Sequence, residues 1–234
     1  MKIHRLSFLR FLPLVLAAAF LSARVFAQDQ AATPAAAPAS VTTSPVAAPT
    51  EQMSAADMEK MMQQMMELSK PGENQKLLAS FAGDWTCTIK MWMNPDPKAP
   101  PTESKGSAVR KMIFNGRYLM GDYSSKMKMP GPDGKMKESD FKGMGIDAYD
   151  NVKKKFVSSW IDSVGTGIMQ VEGEYDPASK TLTYLGEMEG MPGMKTKVRQ
   201  VIKITDKDHN TLEWYEDHGG QEAKTMEISY TRKK

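Results

Sequence analysis

Methionine is the residue type whose number and spacing stand out for chemistry: the chain has 20, against one cysteine and three histidines. Three groups are spaced to act together, Met61-Met62-x-x-Met65-Met66, Met127-x-Met129 and Met188-x-x-Met191-x-x-Met194. Thioether sulfur is a soft ligand that selects Cu(I), and its conversion to sulfoxide makes it a sink for oxidants. Met188, Met191 and Met194 interleave with Gly190, Pro192 and Gly193, a flexible connection on which three sulfurs can converge, so they are the candidate Cu(I) ligands. Methionine is also an adaptable apolar filler. The group at 61–66 has helical spacing and reads as a hydrophobic stripe.

Other catalytic devices find little support. Ser-His-Asp or Cys-His chemistry needs a histidine held by a third group. Besides His4 there are only His209 and His218, both in turn-like segments, and no Gly-x-Ser-x-Gly occurs. His209 with Asp206 and Asp208, or His218 with Glu216 and Asp217, reads as a solvated turn rather than as three or four convergent metal ligands. No spacing favours haem. Cys87 alternates with apolar positions and reads as a small buried hydrophobe. No resident cofactor is expected, with Cu(I) the alternative.

The remaining candidates are aromatic and charged residues inside extended runs. Trp85, Trp92, Tyr118, Trp160 and Trp214 are candidate cavity-lining residues. Phe156, Ser158, Trp160 and Asp162 share one face of their run. An inward network of Asp162, Arg199 and Glu213 beside Trp160, with Asp147 nearby, would form the polar end of an apolar pocket, the usual form of a small-molecule site. An enzyme would need a carboxylate pair such as Asp147 with Asp162, and no spacing demands one.

These residues need elements to position them, and the chain divides clearly. Residues 1–27 read as a signal peptide: Lys2, Arg5 and Arg10 precede a short apolar run, and Val25-Phe26-Ala27 suits cleavage before Gln28. That run is too short to span a bilayer. The segment holds four of the 31 Lys/Arg and none of the 28 Asp/Glu, so the remainder carries 27 basic and 28 acidic residues. A near-neutral domain gives no charge-based reason to expect nucleic acid or an anionic membrane as partner. No cysteine lies near the cleavage point, which argues against a lipoprotein. The expected location is the periplasm or the exterior, without stable membrane insertion.

Residues 28–50, rich in Ala and Pro, read as a flexible linker, and 51–80 as a helical segment. In that segment Ser54-x-x-Asp57 caps a Met-rich helix, Pro71-Gly72 ends it, and a short helix follows over 73–81. A tethered amphipathic helix of this kind suits docking to a partner. Residues 81–234 form ten short extended runs separated by turn residues, with no helix between them. Asn115-Gly116 is the strongest two-residue hairpin signal. Gly143 and Gly145 share one face, where glycine either bends a curved wall or makes room for a ligand. The expected fold is all-β, a single antiparallel up-and-down barrel of about ten strands after a short helical segment.

Several segments resemble a bacterial family known as domain of unknown function 1579. They are Leu78 to Trp85, Gly116 to Leu119, Tyr149-Asp150-Asn151, Trp160-Ile161-Asp162, Val171 to Asp176 and Tyr230 to Lys233. The resemblance runs from about 70 to 234 and implies a lipocalin-like, calycin-like barrel with no established activity. The combined expectation is an exported, non-enzymatic barrel that binds a small, largely apolar ligand. The alternatives are a Met-rich copper(I) or redox homeostasis protein and an interaction module docking through the Met-rich helix.

Overall fold

The computed structural model describes residues 53–93, 99–130, 135–217 and 219–234. The signal peptide and linker expected over 1–50, and His218, lie outside the described residues. Helix α1 (Ala55–Leu68) is capped by Ser54, whose Oγ accepts the Asp57 amide at 3.1 Å. It carries the methionine stripe and buries no residue. Helix α2 (Glu73–Ala79) starts at Gly72, whose amide donates to Gln75 Oε1 at 2.7 Å.

Ten strands follow. They are β1 (Gly83–Met91), β2 (Thr102–Ile113), β3 (Tyr118–Pro130), β4 (Met136–Asp150), β5 (Lys155–Asp162), β6 (Met169–Asp176), β7 (Thr181–Met191), β8 (Met194–Ile204), β9 (His209–Asp217) and β10 (Glu222–Arg232). Each pairs antiparallel with its neighbours in sequence. β10 returns to β1 over the register Trp85↔Arg232 to Met91↔Met226, closing the barrel. Closure leaves no edge with unpaired amides.

Asp and Asn shape the turns. Asp150 Oδ1 accepts the amides of Val152 and Lys153 at 2.8 and 3.0 Å, and Asp176 Oδ1 accepts that of Ala178 at 2.9 Å. Two turns differ from the sequence reading. The Asn115-Gly116 hairpin has a four-residue loop, because Phe114, Asn115 and Gly116 all take positive φ and Arg117 N donates to Ile113 O at 3.2 Å. That i→i+4 closure needs one residue more on each side than a two-residue turn. Residues 188–194 are not a flexible connection but the tip of the β7–β8 hairpin. There Met191 pairs with Met194 across Pro192-Gly193, Gly193 has φ +79°, and its amide donates to Glu189 Oε1 at 2.6 Å.

Register decides which residues point inward. The inward row runs from Trp85 through Ala108, Tyr123 and Gly143 to Asp162 on successive strands. Gly143 is on it and Gly145 shares its inward face, and their space is taken by the protein itself: a Cβ on Gly143 would overlap Trp160 Cζ2.

One end of the barrel is plugged. Leu78 and Phe81, from α2 and the turn after it, pack with Leu119, Phe156 and Leu182. Arg232 fastens the plug. Its guanidinium lies 4.1 Å from the Trp85 ring and donates to the carbonyls of Ser80, Ala82 and Lys207. Gln75 donates to Tyr149 O at 3.1 Å, and Asn151 donates to Leu68 O at 2.7 Å.

Candidate functional site

Inward side chains divide by height. At the α2 end, Trp85, Leu119, Phe156, Leu182 and Tyr230 are at most 4% exposed. At the other end, Met91, Met127, Phe141, Trp160, Met169, Met188, Trp214 and Met226 are all half-buried. Among the described residues the barrel is therefore a cup with a packed floor and a half-buried apolar mouth. Two tryptophans at the mouth are held alike. Trp160 Nε1 donates to Asp162 Oδ2 at 2.9 Å and Trp214 Nε1 to Glu216 Oε1 at 3.0 Å, each two residues further along its strand. Asp162 also accepts the amides of Val164 and Gly165, both at 2.9 Å. Burial opposes its ionisation, but these amide bonds and the indole outweigh burial and hold its carboxyl below the usual range.

Between floor and mouth sits a polar layer. Arg110 on β2 points inward and is 8% exposed. Its guanidinium lies 4.2 Å from the centre of the Tyr230 ring, 5.4 Å from Trp85 and 5.5 Å from Tyr123. Asp147 on β4 stands opposite Ser158 on β5. Burial pushes the Asp147 carboxyl up, against the Ser158 bond and the Arg110 charge. Tyr184 on β7 enters from the far wall, 1% exposed. Among the described residues the buried Tyr184 hydroxyl, Arg110 Nε and Ser125 Oγ have no hydrogen-bond partner. Tyr123 and Asp147 also point inward and keep some accessible surface.

Of the residues singled out from sequence, Asp147, Trp160, Asp162 and Trp214 face the interior. Trp85 also points in, but it is floor: fully buried, with Nε1 donating to Phe81 O at 2.9 Å. Tyr118 does not line the cup; it is outside, 39% exposed, edge-on to Phe114. Trp92 lies beyond β1, beneath Lys224. Arg199 and Glu213 are on the outer face, so the network with Asp162 does not form. Arg199 Nε donates to Glu222 Oε1 at 2.8 Å, and Glu213 pairs with Lys203 at 3.0 Å. Burial raises the Glu213 carboxyl, but the bonds from Lys203 and Tyr215 outweigh it and hold it low. Asp147 faces Ser158 and Asp162 faces Gly143, which separates the two carboxylates by four strand residues, roughly 13 Å, so they make no catalytic pair.

Met188, Met191 and Met194 do not converge. Met188 is inward, while Met191 and Met194 are 41% and 60% exposed at the hairpin tip. His209 is exposed and paired to Asp206 at 2.9 Å. Among the described residues no group of three His, Cys, Asp or Glu is placed to hold a metal, and no helix is long and apolar enough to cross a membrane. Arg110, Tyr123, Tyr184 and Tyr230 were missed from sequence. Counting alternate positions back from Leu119 through the β2–β3 hairpin would have placed Arg110 inward.

No curated protein matches the chain. A solved structure of a redesigned β-barrel matches at 12% identity, covering 67% of this chain and 95% of that one, with a TM-score of 0.32. The model of the family described as "Protein of unknown function (DUF1579)" matches residues 70–232, which span the plug and all ten strands, and the chain belongs to that family.

Proposed function

We propose that this is an exported binding protein whose barrel holds a small, largely apolar ligand, entered from the end opposite α2. The observation that carries this reading is the burial gradient: the fully buried large inward side chains lie toward the α2 end, and those at the mouth are half-buried. Ten strands enclose more space than eight, which already suffice for one small ligand. The mouth residues are chiefly Met, Phe and Trp, adaptable or rigid apolar surfaces suited to a lipophile. Export rests on residues 1–27.

N-phenyl-1-naphthylamine, a neutral apolar fluorophore, tests the reading. Saturable one-to-one binding that quenches tryptophan emission and is lost in a Met169→Glu, Met188→Glu double variant supports it. Non-saturable uptake, or binding indifferent to those substitutions, overturns it. The methionines serve here as apolar surface; Met191 and Met194 at the hairpin tip offer Cu(I) no convergent third sulfur from Met188.

A second role is supported by α1, which presents Met58, Met61, Met62, Met65 and Met66 without burying any residue. Such a helix suits a partner's groove. Deleting residues 51–67 is expected to abolish that docking while ligand binding persists.

A further inference from the structure

The polar layer names the chemistry of the ligand, on the reading of the barrel as a ligand cup. Arg110 and Asp147 are inward charged side chains set against the floor, each three residues from the α2 end of its strand. Arg110 is surrounded by aromatic faces, which accommodate its charge but leave Nε–H without an acceptor. The Tyr184 hydroxyl, near Asp147 and Tyr123, is buried and also unpartnered, as is Ser125 Oγ. All three can donate. Asp147 faces Ser158 across the β4–β5 pair. Burying a donor without a partner is costly, and a phenylalanine at 184 would avoid that cost. The layer therefore holds three buried, unused donors, beside the inward Asp147 and Tyr123, which keep some accessible surface, and below the apolar mouth.

We propose that the cup takes an amphiphile with a carboxylate head, seated head-down on Arg110 and the Tyr184 hydroxyl, its apolar tail running past Trp160, Met169 and Met188 to the mouth. A guanidinium suits this head because its fork of N–H donors matches the two oxygens of a carboxylate. Depth suits a long tail, since Arg110 is eight residues from the mouth end of β2, roughly 26 Å of strand.

The test measures the full chain against dodecanoate, methyl dodecanoate and dodecylamine by displacement of N-phenyl-1-naphthylamine. Dodecanoate is expected to displace the fluorophore at least tenfold more effectively than the ester or the amine. Arg110→Gln should bring the acid-to-ester ratio to near one. Tyr184→Phe should lower it severalfold without loss of thermal stability. Asp147→Asn, which removes the resident carboxylate, should raise it, and these last two variants decide the matter where Arg110→Gln fails to fold. Saturable binding of acid and ester with equal affinity overturns the head assignment and leaves the cup standing. Binding of none of the three overturns both. A preference for the acid that survives both Arg110→Gln and Tyr184→Phe overturns the seat proposed for the head.

Discussion

At the scale of single residues, the interior is defined by side chains that occupy one another's space. Trp160 illustrates this, since its ring fills the volume above Gly143 while Asp162 holds its indole nitrogen. Gly143→Ala puts a Cβ inside that ring, so either the indole or the strand must shift. The expected cost is about 1–3 kcal/mol, read by thermal unfolding together with a change in tryptophan emission. Asp147 makes a prediction about pH. Its carboxyl is pushed above its ordinary 3.8 by burial, so the unfolded chain releases this proton first. Its contribution to stability is therefore greatest in acid and falls as pH rises from 3.8 through the folded value. Asp147→Asn removes that dependence, so the variant should gain stability relative to the parent over this interval, measured by denaturant unfolding at several pH values. Asp162 and Glu213, both held low, act in the opposite sense, and their support is lost as pH falls through their folded values.

At the scale of elements, α2 and the end of β10 form one device. Arg232 ties the carbonyls after α2 to the β8–β9 turn while covering Trp85. Arg232→Ala frees these carbonyls and uncovers an indole, and should cost about 2–4 kcal/mol from several charge-assisted bonds. Ligand affinity at the mouth should not change in protein that remains folded. The strands were legible in the sequence because alternation and Asp, Asn and Gly turns agree along most of the domain. Which face was inward was legible on β5, where Phe156, Ser158, Trp160 and Asp162 all point in. It was not legible on β8, where Val198 and Gln200 face inward while Val201 is buried on the outer face, so hydropathy carries no clean parity and Arg199 was misplaced. On β2 the pattern misleads outright: Val109 is outward and 48% exposed while Arg110 is inside. A buried arginine among apolar neighbours looks from sequence like a solvated one, and only register separates the two.

At the scale of the whole domain, most of the family-like segments gather round the plugged end. Leu78 to Trp85, Gly116 to Leu119, Tyr149 to Asn151, Val171 to Asp176 and Tyr230 to Lys233 lie there, with Trp160 to Asp162 at the mouth. The resemblance therefore speaks mainly to how the barrel is closed and little to what it holds. Sequence could deliver the fold on those terms while leaving the polar layer unread. The β1–β10 seam has a kinetic consequence. It joins Trp85 to Arg232, positions at opposite ends of the domain, so the last strand must arrive before either neighbour is satisfied. Stopping the chain at residue 221 would leave β1 and β9 with bare edges and Trp85 without its arginine cover. That truncated chain is expected to assemble into oligomers or fibrils where the full chain does not, measured by light scattering and thioflavin fluorescence. Until the eleven residues of β10 are in place the domain is an open sheet, and the time it spends in that form sets its exposure to aggregation and proteolysis.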